Sequence, residues 1–478
     1  FYAVNKLGAV ASMIHPLSTA REIAFYLNIS KSRYGLALEE HYDKFKEVKE
    51  ETSLETLILT GISDCLPGSD ARPLPPEHSD PMVRQWKTLL AGSYSPPPKS
   101  SMGPDELAVI LYSGGTTGLP KGIMLSNYNF ISEGMMAATF RMATHGGLPM
   151  VILAGLPIFH GFGLGICCNA MFMTGGTSIL IPQFTPDIAA ELIKTKRPTA
   201  ITGVPTLYDA LTRNPVFQSA DLRCLKSATC GADTLPRTVK ERFEEIVKRQ
   251  GGTVQLVEGY GLTEAVTAVM ATPAHTYREG SVGIPYPDMD AKIVKVGTTQ
   301  EVPVGEEGEL CVHGPAVMLG YLEQPEETAK TLQRHADGNI WLHTGDIFIM
   351  SAEGFFYFKL RLKRMIKSSG MNVYPAQVEA VLYQHPDVRD ACVIGVPDEA
   401  QIERVKAFIV LKDPAKATPD MGKALIKHCR EHLIKWSCPR DVEFRDSLPL
   451  TRVGKVAYTV LEREEIARLK AAGKYAGK

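Results

Sequence analysis

The amino-acid sequence predicts an α/β protein with a large N-terminal domain and a small C-terminal one. Between about residues 150 and 260, strand-like apolar runs alternate with helical segments, which is typical of mainly parallel sheets layered with helices. From about Asp290, short alternating strands and glycine turns indicate a β-rich subdomain. From Arg361 onward, a helix and several strands indicate an α+β unit of domain size. We therefore predict layered sheets with helices over residues 1–360, including a β-rich subdomain at 290–360, and an α+β domain over 361–478.

Strand and helix signals alternate in the middle of the chain. Ala200–Val204 is a predicted strand before a helix near Thr206–Thr212. Ser227–Cys230 is a predicted strand before a helix over Pro236–Arg249, and Val254–Val257 is the next strand. This order favours parallel pairing of the strands, because the helices can connect one strand to the next across the sheet.

The predicted C-terminal domain begins with a helix and continues with strands. Pro375 fits the first turn of that helix, where its missing N–H would have no helical partner in any case. The apolar runs at 390–398 and 404–412 are predicted strands.

One long apolar stretch, residues 148–174, is predicted to be buried within the protein. Prolines, glycines, His160 and Asn169 interrupt it. Its uninterrupted pieces are shorter than the about 20 apolar residues that a membrane-spanning helix needs. We predict a strand at Met150–Ala154, a glycine-rich helix at Gly163–Met173, and no transmembrane segment.

Composition narrows the function classes. The formal net charge of −1 does not favour binding to nucleic acid. The nine cysteines contain no C-x-x-C pair, which argues against a zinc ribbon and for free thiols in a reducing compartment such as the cytoplasm. The chain starts at Phe1 within a helix-like segment, so we expect a preceding segment to be missing. The oligomeric state cannot be predicted.

The segment Tyr112–Gly122, YSGGTTGLPKG, predicts a flexible loop between two strands. It does not match the nucleoside-triphosphate P-loop, because two residues separate Gly118 from Lys121 and Gly122 replaces the hydroxyl residue. The residues after Lys121 indicate a second strand, and Ser126 is the expected cap of the next helix. Backbone N–H groups and hydroxyls in such a loop can bind an anion, although a single loop of this kind is more often a hairpin tip.

Four further segments follow this loop in a fixed order. They are EGYGLTEA at 258–265, HTGD at 343–346, RLKRMIKSSGMNVYP at 361–375 and LPLTRVGKV at 448–456. The five segments together resemble the motifs of the adenylate-forming superfamily, which includes acyl-CoA synthetases, aryl-CoA ligases, peptide-synthetase adenylation domains and firefly luciferase. Residues 337–379 most resemble the acyl-CoA synthetases.

The resemblance implies a two-step ligase reaction with ATP, Mg²⁺ and CoA. A carboxylic acid is joined to the α-phosphate of ATP, pyrophosphate leaves, and the thiol of CoA then displaces AMP. The apolar residues around His160 favour a medium- to long-chain fatty acid; an aromatic or alicyclic acid, or a carrier-protein thiol as acceptor, remain alternatives. A non-catalytic nucleotide-binding relative ranks last, because Lys455, Glu264 and Asp346 are all present.

The resemblance also implies roles for individual residues. Lys455, Thr263, Glu264 and His160 are the expected catalytic residues, with Thr263 on the α-phosphate and Glu264 on Mg²⁺. The expected nucleotide-binding and C-terminal-loop residues are Ser113, Gly114, Gly115, Thr116, Thr117, Gly118, Lys121, Gly231, Ala232, Asp233, Glu258, Gly259, Tyr260, Gly261, Thr263, Asp346, Arg361, Lys367 and Gly370. Tyr260 is expected against adenine, and Asp346 on the ribose hydroxyls.

The acyl site and the domain movement are further implications of the resemblance. His160 is expected to gate the acyl and thiol tunnels, and Phe162, Val204 and Tyr208 are expected to line the acyl site; core packing explains these residues equally well. The C-terminal domain is expected to rotate about a hinge at Lys363. Leu360 stands where the family usually has glycine, which restricts the backbone there.

Overall fold

A computed structural model describes residues 1–65, 80–97, 100–113, 120–145, 150–181, 183–273, 276–368, 371–398, 402–451 and 455–472. The strands are β1 Ala11–Met13, β2 Tyr34–Leu38, β3 Thr56–Thr60, β4 Val83–Gln85, β5 Leu107–Ser113, β6 Lys121–Ser126, β7 Val151–Ala154, β8 Thr177–Leu180, β9 Ala200–Gly203, β10 Ser227–Cys230, β11 Leu256–Gly261, β12 Ala268–Ala271, β13 Ile284–Pro285, β14 Asp290–Val294, β15 Glu307–His313, β16 Gly320–Tyr321, β17 Leu332–Arg334, β18 Ile340–Met350, β19 Phe356–Arg361, β20 Ile366–Ser368, β21 Met371–Val373, β22 Val388–Asp398, β23 Ile402–Leu411 and β24 Asp441–Phe444. The helices are α1 Tyr2–Lys6, α2 Ala20–Ser30, α3 Tyr42–Glu47, α4 Trp86–Ala91, α5 Asn127–His145, α6 Ala170–Met173, α7 Pro186–Lys196, α8 Pro205–Arg213, α9 Pro215–Ser219, α10 Arg237–Arg249, α11 Pro325–Thr331, α12 Pro375–Tyr383, α13 Pro419–His432 and α14 Tyr458–Ala471.

The largest sheet has seven strands in the order β13-β12-β11-β10-β9-β7-β8. Strands β8, β7, β9, β10 and β11 pair in parallel, whereas β12 and β13 are antiparallel. In such sheets, ligands bind beyond the carboxyl ends of the strands. The segments that follow β9, β10 and β11 therefore meet at one edge of this sheet.

The β5–β6 hairpin belongs to a four-stranded sheet in the order β1-β5-β6-β16. Its strands pair antiparallel up to Ser113 opposite Lys121, as the strand–loop–strand interpretation predicted. The hydroxyl of Ser126 accepts the N–H of Asn129 at 3.1 Å, and the side chain of Asn129 accepts the N–H of Ser126 at 2.8 Å. These two bonds cap α5 as expected.

Two further sheets lie where the β-rich and C-terminal parts were predicted. The first has the order β14-β15-β18-β17, and β19 also pairs with β18, on the edge away from β15. The second has the order β21-β20-β23-β22, with β24 paired to β23, and α12 begins at Pro375. A separate apolar cluster, which includes Val378, Leu382 and Ile409, forms a core between this sheet and its helices.

Two sequence predictions need correction. The segment predicted as a helix at Gly163–Met173 is helical, but it consists of a π-helix over Phe162–Asn169 followed by α6. The strand predicted at Val254–Val257 is β11, which begins at Leu256 and extends to Gly261, because its glycine-containing end pairs with β12. Among the described helices, none combines the length and the apolar character needed to cross a membrane.

Candidate active site

Asp346 is the most deeply buried carboxylate of the site. It lies on β18, is 1 % exposed, and stands opposite Arg361 of β19. The hydroxyl of Tyr260 donates to its Oδ2 at 2.7 Å, and the Nε of Arg361 lies 3.2 Å from its Oδ1. Burial raises the pKa of Asp346, whereas the charge of Arg361 and the hydrogen bond from Tyr260 oppose that rise. The pair therefore favours an ionised carboxylate that can accept hydrogen bonds from two vicinal hydroxyls.

A second carboxylate, that of Glu309 on β15, holds the irregular part of β18 just before Asp346. Its Oε1 accepts the N–H of Gly345 at 3.0 Å, and its Oε2 lies 3.0 Å from Nδ1 of His343. Gly345 has φ 69°, a left-handed conformation that suits glycine. Sequence reasoning missed Glu309, because nothing in its local sequence distinguishes it from an exposed strand residue.

Glu264 lies in a short turn after β11. Its Oε1 accepts the hydroxyl of Tyr321 at 2.9 Å, and its backbone carbonyl accepts the N–H of Met318 at 2.8 Å. Thr263 beside it is buried. One hydrogen bond leaves further lone pairs on the carboxylate, so Glu264 could hold a hard cation such as Mg²⁺.

Two loops at this edge carry unfavourable backbone conformations. Val266 has φ 63°, which is rare for a β-branched residue, and Ala232 has φ 72°. Such strain persists where the surroundings enforce it, and it is concentrated at functional sites. Ala232 follows β10, and Val266 follows the turn that carries Glu264, so both loops flank the same edge of the seven-stranded sheet.

Lys121 and Glu264 both contact the side chain of Tyr321. The ammonium group of Lys121 lies 2.8 Å from Oε2 of Glu327 and 4.5 Å from the ring centre of Tyr321, which also bonds Glu264. Tyr321 thus joins the end of the glycine-rich loop to the carboxylate predicted to bind Mg²⁺.

Lys455 approaches the site from the C-terminal part of the chain. Burial and the charge of Arg361 lower its pKa, whereas the carboxylates of Asp233, Asp346 and Glu264 raise it. The ammonium group therefore lies within electrostatic range of all three carboxylates. Together with Arg361, this ammonium group could neutralise charge on a bound anion.

Thr451 closes the turn that carries Lys455. Its hydroxyl accepts the N–H of Lys455 at 3.0 Å, and its own N–H donates to the carbonyl of Lys455 at 2.6 Å. The spacing of threonine and lysine in LPLTRVGKV therefore has a structural reason, because these two bonds fix the backbone from which the lysine extends.

His160 is neutral at the entrance of the π-helix. Its Nδ1 accepts the N–H of Phe162 at 3.2 Å, which places the ring proton on Nε2. Burial, with a smaller effect of the Lys455 charge, lowers the pKa of His160 to about 4. The imidazole can therefore donate a hydrogen bond near Lys455 without adding a second positive charge there.

Glycines let the π-helix pack directly against the site loops. A Cβ on Gly161 would lie 1.9 Å from the carbonyl oxygen of Val266, and one on Gly163 would lie 2.2 Å from that of Pro157. The ring of Phe162 lies 3.4 Å from a Cβ built on Gly231, so it contacts the loop after β10.

Tyr208 and Val204 were predicted to line the acyl site, and Glu258 to bind the nucleotide; the structure gives them different surroundings. Tyr208 is fully buried and donates towards the carbonyls of Ile201 and Thr229 at 3.0 and 2.9 Å, which favours the core-packing alternative for this residue. Val204 is buried at the start of α8. Burial raises the pKa of Glu258 to about 7.

The nucleotide-site glycines 259 and 261 both lie in β11, on either side of Tyr260. Asp233 accepts the N–H of Thr234 at 2.8 Å. Other predictions fall outside the described residues, namely Gly114, Gly115, Thr116, Thr117, Gly118 and Gly370, together with the side chains of Ser113, Leu360, Lys363 and Lys367.

Comparison with known proteins identifies the family. Residues 1–322 match the model for the AMP-binding enzyme, and residues 377–455 match that for the AMP-binding enzyme C-terminal domain. A long-chain-fatty-acid–CoA ligase of Escherichia coli O6:H1 is 36% identical over 478 residues, covering 97% of this chain and 82% of the relative. A feruloyl-CoA synthase of an Amycolatopsis species is 37% identical over 363 residues, covering 75% of this chain and 70% of the relative.

A solved structure gives the same result for the fold. The anthranilate CoA ligase AuaEII in complex with anthranoyl-AMP superimposes with a TM-score of 0.82 at 25% identity, covering 98% of this chain and 85% of that one. These comparisons confirm the predicted α/β fold class and the predicted AMP-forming acid–thiol ligase. The chain belongs to the AMP-binding enzyme family.

Proposed function

We propose that this chain activates a fatty acid and transfers it to CoA. A carboxylate oxygen of the acid attacks the α-phosphorus of ATP, the bond to the β-phosphate oxygen breaks, and pyrophosphate leaves. The sulfur of CoA then attacks the acyl carbon, and AMP leaves with the carboxylate oxygen that joined it to the acyl group; the thiol proton passes to solvent. The names of the relatives support this reaction.

One observation carries the proposal. Tyr260 and Arg361 contact the buried Asp346, and burial and the charge of Arg361 lower the pKa of Lys455 while Asp233, Asp346 and Glu264 act in the opposite direction, although these residues come from different elements of the chain. In phosphoryl transfer, the protein contributes mainly by positioning the reacting groups and by neutralising their negative charge. An ammonium group among these carboxylates can contact both the attacking carboxylate and the α-phosphate, where negative charge builds up.

The neighbouring groups would orient the nucleotide. Asp346 would accept the ribose hydroxyls, with Tyr260 and Arg361 holding its carboxylate in place. Glu264 would hold Mg²⁺, which supplies charge neutralisation to the phosphate oxygens. Lys121 would contact the departing pyrophosphate after leaving Glu327, since their partly exposed ion pair could be exchanged for contact with a phosphate.

The domain movement remains part of the proposal. After adenylation, the C-terminal domain would rotate about Lys363 and present the loop that includes Lys367 and Gly370 to the thiol. This rotation would withdraw Lys455, so that one small domain serves both half-reactions. The free thiols of the eight cysteines whose side chains are described support the further proposal of a cytoplasmic location.

Fatty acids are the favoured acids for two reasons. The π-helix that begins beside His160 is built almost entirely of buried apolar residues and glycines, and His160 itself is neutral at pH 7. An acyl chain that runs along such a surface would lose water without needing a polar partner. Aromatic acids are the second candidates, because relatives that bear names of aromatic acyl-CoA ligases have similar structures or sequences.

The experiment is ATP–pyrophosphate exchange with a panel of acids. Saturated fatty acids of increasing length should support exchange better than benzoate, ferulate or anthranilate, and adding CoA should convert the best acid to its thioester. Exchange that is fastest with an aromatic acid would replace the proposed substrate class. Exchange without formation of the CoA thioester would favour a carrier-protein thiol as the acceptor. If no acid supported exchange, the proposed ligase activity would be refuted.

A further inference from the structure

Three soft or borderline metal ligands converge on the β-rich sheet, beside the contact between His343 and Glu309 described above. Cys311 lies on β15, His343 lies on β18, and His335 follows β17. All three are buried, and one ligand atom from each lies within 4.8 Å of the others. The sulfur is a free thiol. The adenylation reaction uses none of these three side chains.

The two imidazoles face each other through the atoms that would bind an ion. Nε2 of His335 lies 2.9 Å from Nε2 of His343, and Nδ1 of His343 lies 3.0 Å from Oε2 of Glu309. A histidine that binds a metal usually donates its other N–H to a carboxylate, which fixes the ring and its tautomer. His343 and Glu309 already have this arrangement.

Hydrogen bonding within the cluster does not satisfy all of its polar atoms. If His343 donates its Nδ1 proton to Glu309, its Nε2 accepts a proton from Nε2 of His335. The Nδ1 of His335 is then a buried acceptor, and it has no partner among the described residues. This nitrogen has no described partner in either arrangement, because an ion on Nε2 would leave the ring proton on Nδ1; the convergence of the three buried ligand atoms is what favours an ion here.

The charges around the cluster suit a divalent ion. One thiolate and the Glu309 carboxylate would together balance a charge of +2. A neighbouring cation is Lys292, whose ammonium group lies 4.0 Å from the ring centre of Trp341. Its ammonium group is already paired with Asp337 at 3.0 Å and Glu301 at 3.3 Å, so its own charge is compensated.

We propose that Cys311, His335 and His343 bind a zinc ion. Thiolate and imidazole ligands favour Zn²⁺ over Mg²⁺, which prefers oxygen. Binding forms a sulfur–zinc bond, and the proton of the Cys311 thiol passes to solvent. Tetrahedral zinc with bonds of about 2.0–2.1 Å to nitrogen separates two such nitrogens by about 3.3 Å, so the two rings would move apart by about 0.4 Å.

This ion would also hold the backbone next to Asp346, one of the proposed nucleotide-binding residues, more rigidly. Glu309 contacts His343 with one oxygen and the N–H of Gly345 with the other, and Gly345 precedes Asp346. Fixing His343 would therefore fix the carboxylate of Glu309, which holds this part of β18. The zinc site itself does not depend on the identity of the acid substrate.

The test uses Co²⁺ as a spectroscopic substitute for zinc. The full chain is freed of metal by chelation under denaturing conditions, refolded with Co²⁺, and desalted; bound metal and the thiolate-to-cobalt charge-transfer band are then measured. We expect one Co²⁺ per chain with that band, displaced by Zn²⁺. Cys311→Ser should abolish the band, and His335→Gln should weaken Co²⁺ affinity at least tenfold.

A matched control comes from α13, where His428, Glu431 and His432 also lie close enough to share an ion. A His428→Gln/His432→Gln variant should keep the band and the tightly bound ion. Circular dichroism checks that each variant folds, and His335→Gln replaces Cys311→Ser if the latter does not. Refolded wild-type protein that holds no Co²⁺, or a band that survives both Cys311→Ser and His335→Gln, would overturn the proposal.

Discussion

The hydrogen bond between Tyr260 and Asp346 gives the most quantitative prediction. Tyr260→Phe removes the 2.7 Å bond to Oδ2 and keeps the aromatic ring. Hydrogen bonds to charged groups contribute about 1.5–3 kcal/mol, which corresponds to about 10- to 150-fold in an equilibrium constant. Because Asp346 is 1 % exposed, water cannot readily replace the lost donor, and we expect the effect to fall within this range.

The change should appear in the binding of ATP rather than of the acid. Loss of the donor raises the pKa of Asp346 further, since burial already raises it and the Tyr260 bond opposes that rise. A protonated carboxyl group can accept fewer ribose hydroxyls, so KM for ATP should rise about 10- to 150-fold and should recover in part as the pH is raised. Pyrophosphate exchange at varied ATP and pH measures both.

Tyr208→Phe is the matched control. It removes another buried tyrosine hydroxyl, but one that bonds only the carbonyls of Ile201 and Thr229 within the core. This variant should lose about 1 kcal/mol of stability and keep its KM for ATP. An unchanged KM for ATP in Tyr260→Phe, or equal changes in both variants, would refute the role of Tyr260 in positioning Asp346.

The remaining predictions concern stability, packing and metal dependence. Burial raises the pKa of Glu133 from its ordinary value of 4.5 to about 8. Between these pH values only the unfolded chain ionises at this residue, so the free energy of unfolding of the wild type falls as the pH rises. In urea unfolding, Glu133→Gln should therefore be more stable than wild type at pH 8, by up to about 5 kcal/mol, and equally stable below pH 4. Gly161→Ala would place a Cβ 1.9 Å from the carbonyl of Val266, so it should lose about 1–3 kcal/mol of stability and most of its exchange activity. Tyr321→Phe removes the 2.9 Å bond that orients Glu264, and should raise the Mg²⁺ concentration for half-maximal exchange about tenfold.

Local sequence chemistry predicted the elements that carry the site. Gly122 and the residues after Lys121 excluded a helix at the end of the glycine-rich loop, and the structure has the hairpin and the Ser126 cap. The segment HTGD was recognised as a motif, but it does not form a chain turn: Gly345 lies within β18 with positive φ, where the pairing of β18 with β15 is irregular.

The groups that hold the catalytic residues could not be predicted from the sequence. Glu309 and Tyr321 act through hydrogen bonds to residues far away in the chain, and their local sequences carry no motif. The π-helix was missed because a run of apolar residues and glycines fits several helical periods equally well. The cluster of Cys311, His335 and His343 depends on strand pairing, which brings distant residues together without any ligand-spacing pattern.

The half-reactions of Lys455→Ala test the central claim most directly, with Lys423→Ala on the exposed side of α13 as the control. Acid-dependent ATP–pyrophosphate exchange should fall about 100-fold or more in Lys455→Ala, because the charge that meets the α-phosphate is lost. Thioester formation from supplied acyl-adenylate and CoA should stay close to wild type, and the control should retain both activities. Equal loss of both half-reactions, or exchange at the wild-type rate, would contradict the account.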